Sequence, residues 1–242
     1  MTEPAKPPRL PGVDIARGVA LVGMVVFHFT FDLEFFHLIP GGTILSLPWR
    51  TFARLVAGSF VFLAGVSLVL AARGGLRGPA FWRDTGIVAA AALLVSSVTY
   101  VALGPAWVFF GILHSIAVSR VLGLAALRLP VGALAVLGVA VWAAPYLVQF
   151  EVFDSRWLAW IGFARVLPLS MDLEPIFPWF GPFLLGMAFA GRVLAGRQPG
   201  GGGGAPGGAP GRALAWAGRH SLAIYLLHQP VLMGVLFLLT RA

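Results

Sequence analysis

Three ionisable side chains lie in the first apolar segment of the chain, and their types could do acid-base chemistry. Arg17, His28 and Asp32 fall between Ile15 and Phe36. The step from Arg17 to His28 turns a helix by roughly 1100°, about 20° more than three full turns, and His28 to Asp32 is one further turn. Ionisable groups at mid-membrane each cost roughly 2.5 to 3.5 kcal/mol, so they usually face a protein interior or a cavity. We therefore expect this helix to line a site.

His28 and Asp32 have the residue types of a general-base pair. In such a pair the carboxylate selects the imidazole tautomer and stabilises its charged form. The same spacing also fits a structural hydrogen bond between helices. Arg17 could bind an anionic group, but an arginine at this helix end can also snorkel to lipid phosphates or pair with Asp14.

The composition indicates an all-α, polytopic membrane protein whose first partner is the lipid bilayer. Of 242 residues, 59% are hydrophobic and 11% charged, whereas soluble domains are about 25% charged. The mean hydropathy is +0.90. The chain has no cysteine, which excludes disulfides, thiolate catalysis and Cys-ligated metals. The net charge of +8 comes from arginines in short loops, so membrane topology explains it better than nucleic-acid binding does.

Seven apolar segments have about the length of one membrane crossing. They are Ile15 to Phe36, Phe52 to Ala72, Gly86 to Leu103, Trp107 to Leu127, Val131 to Phe150, Ile176 to Leu194 and Ser221 to Thr240. A cytoplasmic N-terminus would place twelve of the 17 basic residues inside, so the positive-inside rule predicts a cytoplasmic N-terminus and a C-terminus outside. We expect a single domain over residues 1–242, with a disordered Gly/Pro-rich cytoplasmic linker at 197–212.

Two further candidate residues lie toward the outer side. If the fourth span begins at Trp107, His114 lies about 10 Å deep, at 1.5 Å per residue, which matches the predicted depth of His28. Asp172 comes just before the sixth span, whose prolines should interrupt its first turns. His114 could instead bond a backbone carbonyl at a helix contact, and Asp172 could simply lie in a solvated loop.

The last span has basic residues just before its start and a histidine within it. Arg219 and His220 precede Ser221, the expected N-cap, so the exposed amides and two basic side chains could form a cytoplasmic anion site. Arg219 could equally serve only as a positive-inside charge. His228 lies farther along, in the apolar part of this span.

Five segments together resemble one protein family. DIARGVALVGMVVFHFTFDL, FVFLAGVSLVL, FGILHSIAVSR, PWFGPFLLGM and GRHSLAIYLLHQPVL resemble the bacterial branch of the heparan-alpha-glucosaminide N-acetyltransferase catalytic-domain family. They occur in family order from about residue 9 to 235. The spacing of Arg17 and His28 also resembles the Arg-x10-His signature of membrane acyltransferases that modify surface glycans.

The resemblance implies an enzyme that transfers an acetyl or other acyl group from acyl-CoA, without a metal, to a glycan or lipid-linked sugar at the outer face. It implies a multi-pass protein in the inner membrane of a bacterium. Because relatives have further spans, a second copy of this shorter chain, in a homodimer, could complete the acceptor pocket. The implied roles are acyl transfer for His28, Asp32 and His114, CoA binding for Arg17, Arg219 and His220, and acceptor binding for Asp172, His228 and His37.

Two histidines are candidates for the residue that handles the acyl group. In the eukaryotic branch an asparagine matches His28, and the proposed active histidine follows the first span, where His37 is the nearest counterpart here. We prefer His28 because Asp32 is one turn away. Two other functional classes stay open: a proton-coupled transporter using the membrane histidines as a relay, and a noncatalytic scaffold of the same fold.

Overall fold

The computed structural model describes residues 10–194 and 208–241, and this part of the chain is all-α. Its helices are α1 (Pro11–Phe35), α2 (Leu47–Arg73), α3 (Gly78–Leu103), α4 (Ile112–Ala126), α5 (Val131–Leu147), the single turn α6 (Arg156–Ala159), α7 (Ile176–Val193), α8 (Gly208–Arg219) and α9 (Ser221–Arg241). Short 3-10 turns cover Gly104–Ala106 and Glu151–Asp154. Extended pairing in the described residues is limited to one isolated bridge, between Phe110 and Leu173.

Each of the seven predicted spans contains a helix. In the described residues, five of these helices are long and apolar enough to cross a membrane: α1, α2, α3 with the turn after it, α7 and α9. The third span starts at Gly78, earlier than predicted. The two shorter apolar helices are α4, with 15 residues, and α5, with 17.

The fourth span differs most from its prediction. We expected its helix to begin at Trp107, but residues 107–111 are not helical and α4 begins at Ile112. The bridge of Phe110 with Leu173 and a hydrogen bond from the Glu174 N–H to the Phe110 carbonyl (3.0 Å) hold this segment in an extended form. Backbone groups that a helix would use are therefore bonded to a distant loop.

The chain forms two compact units. The described part of the first, here called the central unit, is residues 61–194. The second, here called the terminal unit, comprises residues 10–60 and 208–241. Helix α2 contributes to both.

Glycines allow close helix packing in the central unit. A Cβ atom on Gly65 of α2 would overlap the carbonyl of Phe183 on α7, and one on Gly186 of α7 would overlap the carbonyl of Phe62 on α2. The two backbones therefore touch directly, as is common where small residues meet in membrane helix pairs. Phe183 itself is fully buried.

In the terminal unit α1 packs against α8. Gly218 lies against the Asp14 carbonyl and Gly18 against the Leu214 carbonyl, so α8 uses small residues to approach α1 closely. This corrects the end of the predicted disordered linker at 197–212: residues 208–212 begin a helix, whose later residues make this contact with α1. The rest of that linker lies outside the described residues.

Candidate functional site

The terminal unit brings His28 of α1 into contact with His228 of α9. The ring centroids are 4.7 Å apart and the ring planes are inclined by 72°. Nδ1 of His28 bonds the Met24 carbonyl (3.0 Å), and Nδ1 of His228 bonds the Tyr225 carbonyl (2.6 Å). A carbonyl can only accept, so both Nδ1 atoms carry the proton and, in the neutral rings, both Nε2 atoms have the lone pair. The pair thus offers two nitrogens able to act as nucleophile or base.

Asp32 bonds a residue of α9 rather than His28, the partner that we expected. Its Oδ1 accepts a hydrogen bond of 2.6 Å from Nε2 of Gln229. The carboxylate is fully buried. The tautomer of His28 is therefore set by Met24 rather than by Asp32, because Met24 is the partner of Nδ1. The carboxylate instead links the two helices one turn along α1 from the imidazole pair.

Three polar atoms of this cluster are buried and lack a hydrogen-bond partner among the described residues. They are Oδ2 of Asp32, Oε1 of Gln229 and Nε2 of His228. An unpaired buried polar atom costs about 1 to 3 kcal/mol, so such atoms commonly mark a place where a ligand or water binds. Oε1 of Gln229, Nε2 of His228 and, when the carboxyl is ionised, Oδ2 of Asp32 are all hydrogen-bond acceptors. They fit a ligand that donates hydrogen bonds, such as a hydroxyl or an amine.

Pro230 directly follows His228 and Gln229 inside α9. Having no N–H, it cannot donate to the carbonyl four residues earlier, that of Leu226. The polar pair His228 and Gln229 thus lies where the helix backbone is already interrupted. In membrane proteins such interruptions are tolerated where protein or a cavity satisfies the freed group.

Arg17 lies near the N-terminal end of α1, close to α8. Its guanidinium is 3.4 Å from a carboxylate oxygen of Asp14. This ion pair with Asp14 is one of the two alternatives to anion binding that the sequence left open. An exposed face of α8 carries Arg212, Trp216 and Arg219. His220 follows, and its ring lies 4.5 Å from that of Trp216. The basic residues predicted to bind CoA therefore lie at the same end of the terminal unit.

The predicted start of the last span needs a correction. His220 alone separates α8 from α9, and its N–H bonds the carbonyls of Trp216 and Ala217. The first helical bond of α9 runs from the Ile224 N–H to the His220 carbonyl, so Ser221 is the first helical residue rather than the cap. A helix precedes this position instead of the open loop that an exposed anion site would have.

His114 belongs to the central unit, and both of its ring nitrogens are engaged. Nδ1 accepts from the Gly111 N–H (3.2 Å), so Nε2 carries the proton and donates to Ser96 Oγ at 3.3 Å. Ser96 in turn donates to the Val108 carbonyl. The predicted depth of His114 assumed a helix from Trp107, and that assumption is wrong, because α4 begins only two residues before His114. These contacts support the first turn of α4.

Asp172 also supports the start of α4. Its Oδ2 accepts from the Ile112 N–H at 3.4 Å, and a Cβ on Gly111 would overlap the same oxygen. Burial raises the pKa of Asp172 to about 6, and the Ile112 hydrogen bond opposes this shift only in part. A carboxylate there also interacts favourably with the helix dipole. Asp172 is therefore not in a solvated loop.

His37 lies just beyond α1. It is exposed and has a positive φ of 59°. The Leu38 N–H bonds the Leu33 carbonyl and the His37 N–H bonds the Glu34 carbonyl, which is the Schellman pattern that ends helices. His37 thus occupies the left-handed position that glycine usually takes.

Gln229 and Ser96 are the residues that sequence reasoning missed. Gln229 had a signal: a second polar side chain beside His228 in an otherwise apolar span, followed by a proline. Ser96 had none, since serines are common in membrane helices. In the described residues, no group of three His, Cys, Asp or Glu side chains is arranged to hold a metal ion.

Comparison with known proteins gives one match. The family model described as "Heparan-alpha-glucosaminide N-acetyltransferase, catalytic" matches residues 9–230. No curated protein and no solved structure matches the chain. The matched region contains α1 to α8 and α9 as far as Pro230, including the histidine pair with Asp32 and Gln229. Because the match covers most of the chain, this multi-pass membrane protein belongs to the heparan-alpha-glucosaminide N-acetyltransferase catalytic-domain family, a family of membrane acyltransferases.

Proposed function

We propose that the protein transfers an acetyl or other acyl group from acyl-CoA to a glycan or lipid-linked sugar at the outer face of a bacterial inner membrane. The observation that carries this proposal is the half-buried imidazole pair of His28 and His228, each with the lone pair on Nε2. An imidazole nitrogen can attack a thioester and carry the acyl group. The membership of an acetyltransferase family agrees with that chemistry.

His28 is the residue we assign to the acyl group. Its Nδ1–H is held by the Met24 carbonyl, which directs the lone pair to Nε2. His114 differs, since both of its nitrogens are bonded. We assign His114 and Asp172 to positioning the start of α4. His37 is the rival, and its left-handed position at a helix end supports a structural role.

The donor would bind at the opposite end of α1. We place the N-terminus in the cytoplasm and the C-terminus outside, with all seven long apolar segments crossing. Arg17 then lies on the side that holds acyl-CoA, and α8, with Arg219 and His220 at its end, packs there against α1. Charge-assisted bonds from arginine are well suited to the phosphates of CoA.

The test uses purified protein and radiolabelled acetyl-CoA. We expect the native protein to take up label or to exchange acetyl between CoA molecules, and His28→Ala to abolish both. Thr30→Ala is the matched control, since Thr30 bonds its own helix at the Val26 carbonyl and is given no role. Unchanged labelling in His28→Ala would overturn the assignment, and loss in His37→Ala would transfer it to His37.

A proton-coupled transporter is the second candidate, because an imidazole pair and a buried carboxylate inside membrane helices also suit a proton relay. Liposome flux driven by a pH gradient, without acyl-CoA binding, would favour it. A noncatalytic scaffold would show neither property. Thermal stabilisation by CoA would argue against the scaffold.

A further inference from the structure

We propose that His228 is the catalytic base that takes the proton from the acceptor during the second half of the transfer. This inference rests on the proposed function, with His28 as acyl carrier. It assigns the two imidazoles of the terminal unit to different steps. Asp32 and Gln229 become the groups that hold α1 and α9 in register for this exchange.

His28 loses its free lone pair when it carries the acyl group. Its Nδ1–H is bonded to the Met24 carbonyl, so the acyl group must attach to Nε2. An imidazole acylated on Nε2 and protonated on Nδ1 has no lone pair left for a proton. His28 therefore cannot deprotonate the acceptor that attacks it, and a second base is required.

His228 meets that requirement. Its ring is in contact with the ring of His28 at 4.7 Å between centroids. Its own Nδ1–H is held by the Tyr225 carbonyl, so Nε2 has the lone pair. That Nε2 is buried and without a partner in the described residues. An acceptor hydroxyl or amine bound there would donate to it, and this is the bond along which the proton must leave.

Asp32 and Gln229 suit a supporting role. Their hydrogen bond of 2.6 Å joins α1 to α9 one turn from His28 on α1 and one residue from His228 on α9. The remaining oxygen of each, Oδ2 and Oε1, is buried and unpaired. These oxygens can accept further hydrogen bonds from a polyhydroxylated or amino acceptor, and Asp32 is thereby a positioning residue rather than the base.

The proposed steps balance. Nε2 of His28 attacks the thioester carbon, the carbon–sulfur bond breaks, and CoA leaves as the thiolate. The acceptor oxygen or nitrogen then attacks the acyl carbon while its proton passes to Nε2 of His228. The bond between the acyl carbon and His28 breaks and returns its electron pair to Nε2. The proton on His228 is released to the medium, where it balances the CoA thiolate as the thiol.

The test measures the lifetime of the acyl-enzyme with water as the acceptor. Native protein and His228→Gln are labelled with radiolabelled acetyl-CoA, freed of CoA, and followed for loss of label. We expect both proteins to take up label, and the label on His228→Gln to persist at least about 100-fold longer, since general-base catalysis contributes about 10²- to 10⁴-fold. Leu227→Ala, next to His228 but with its side chain exposed, should behave as the native protein.

Hydroxylamine supplies the control that separates a base from a structural residue. It is a strong nucleophile that attacks acyl-imidazoles without a base, so it should release the label at the same rate from both proteins. Equal lifetimes in water would overturn the role of His228. Slower release by hydroxylamine as well would also overturn it, by indicating a displaced acyl group. Native protein that turns over acetyl-CoA without acquiring label would overturn the inference and leave the proposed function standing, and no turnover at all would count against both.

Discussion

The hydrogen bond between Asp32 and Gln229 should show strong energetic coupling between α1 and α9. Both side chains can be replaced by leucine, singly and together. Gln229→Leu removes the partner of Oδ1 and leaves both oxygens of a fully buried carboxylate unpaired. Asp32→Leu removes the partner of the Gln229 amide. The double variant leaves neither polar group behind.

The magnitudes follow from these losses. A hydrogen bond to a charged group contributes about 1.5 to 3 kcal/mol, and an unpaired buried group costs about 1 to 3 kcal/mol. We therefore expect Gln229→Leu to lower the free energy of unfolding by about 3 kcal/mol and Asp32→Leu by about 2 kcal/mol. The double variant should lose about 2 kcal/mol rather than the sum, because an apolar pair replaces a polar one. The coupling energy is then about 3 kcal/mol.

Thermal unfolding of the four proteins in one detergent would measure this cycle. At about 2 to 4 °C per kcal/mol, Gln229→Leu should unfold about 6 to 12 °C below the native protein. Leu227→Ala provides a control on the same helix, with an exposed side chain. Additive losses in the double variant would refute the reasoning, because they would mean that the two side chains do not stabilise each other.

Three further predictions concern the helix ends and contacts. Burial raises the pKa of Asp172 to about 6, so the unfolded chain releases this proton at lower pH than the folded protein does. The free energy of unfolding should therefore fall as the pH rises from about 4 to about 6. Asp172→Asn should remove that fall and, near pH 7, raise the free energy of unfolding by on the order of 2 kcal/mol; an unchanged pH profile of thermal unfolding would contradict it. His37→Gly should raise the melting temperature by about 2 to 4 °C, because glycine adopts the positive φ at a cost about 1 kcal/mol lower, and acyl labelling should not change; lost labelling would instead favour His37 as acyl carrier. Gly186→Ala should destabilise the protein by about 1 to 3 kcal/mol, since its Cβ would overlap the Phe62 carbonyl, whereas Gly132→Ala, with nothing within 4 Å of its Cβ, should not; equal melting temperatures would count against direct contact of α2 and α7.

The sequence alone predicts much of the helical architecture. Apolar runs of span length predicted a helix in each of seven places, and the structure has one in each. The helical repeat placed Arg17, His28 and Asp32 on one face of α1. Such inferences depend on neighbours within a few turns, which hydropathy and helical geometry describe well.

Local sequence patterns could not predict the hydrogen-bond partners of those side chains. Gln229 lies 197 residues from Asp32, and no local pattern relates the two. The role of His114 changed because α4 starts at Ile112, and the residues that support this start, Asp172 and Ser96, come from elsewhere in the chain. The Gly/Pro-rich composition also predicted disorder at 208–212, but these residues are the first part of α8, a helix that packs against α1 through Gly218.

The sequence by itself determined a multi-helix membrane protein, its family and the ionisable stripe on α1, because apolar length, helical periodicity and motif order are local or collinear properties. Tertiary structure alone decided that His28 faces His228, that Asp32 bonds Gln229, and that His114 supports a helix start. Each of these outcomes is a contact between elements distant in sequence. Such contacts depend on which backbone and side-chain groups satisfy one another once the helices are packed.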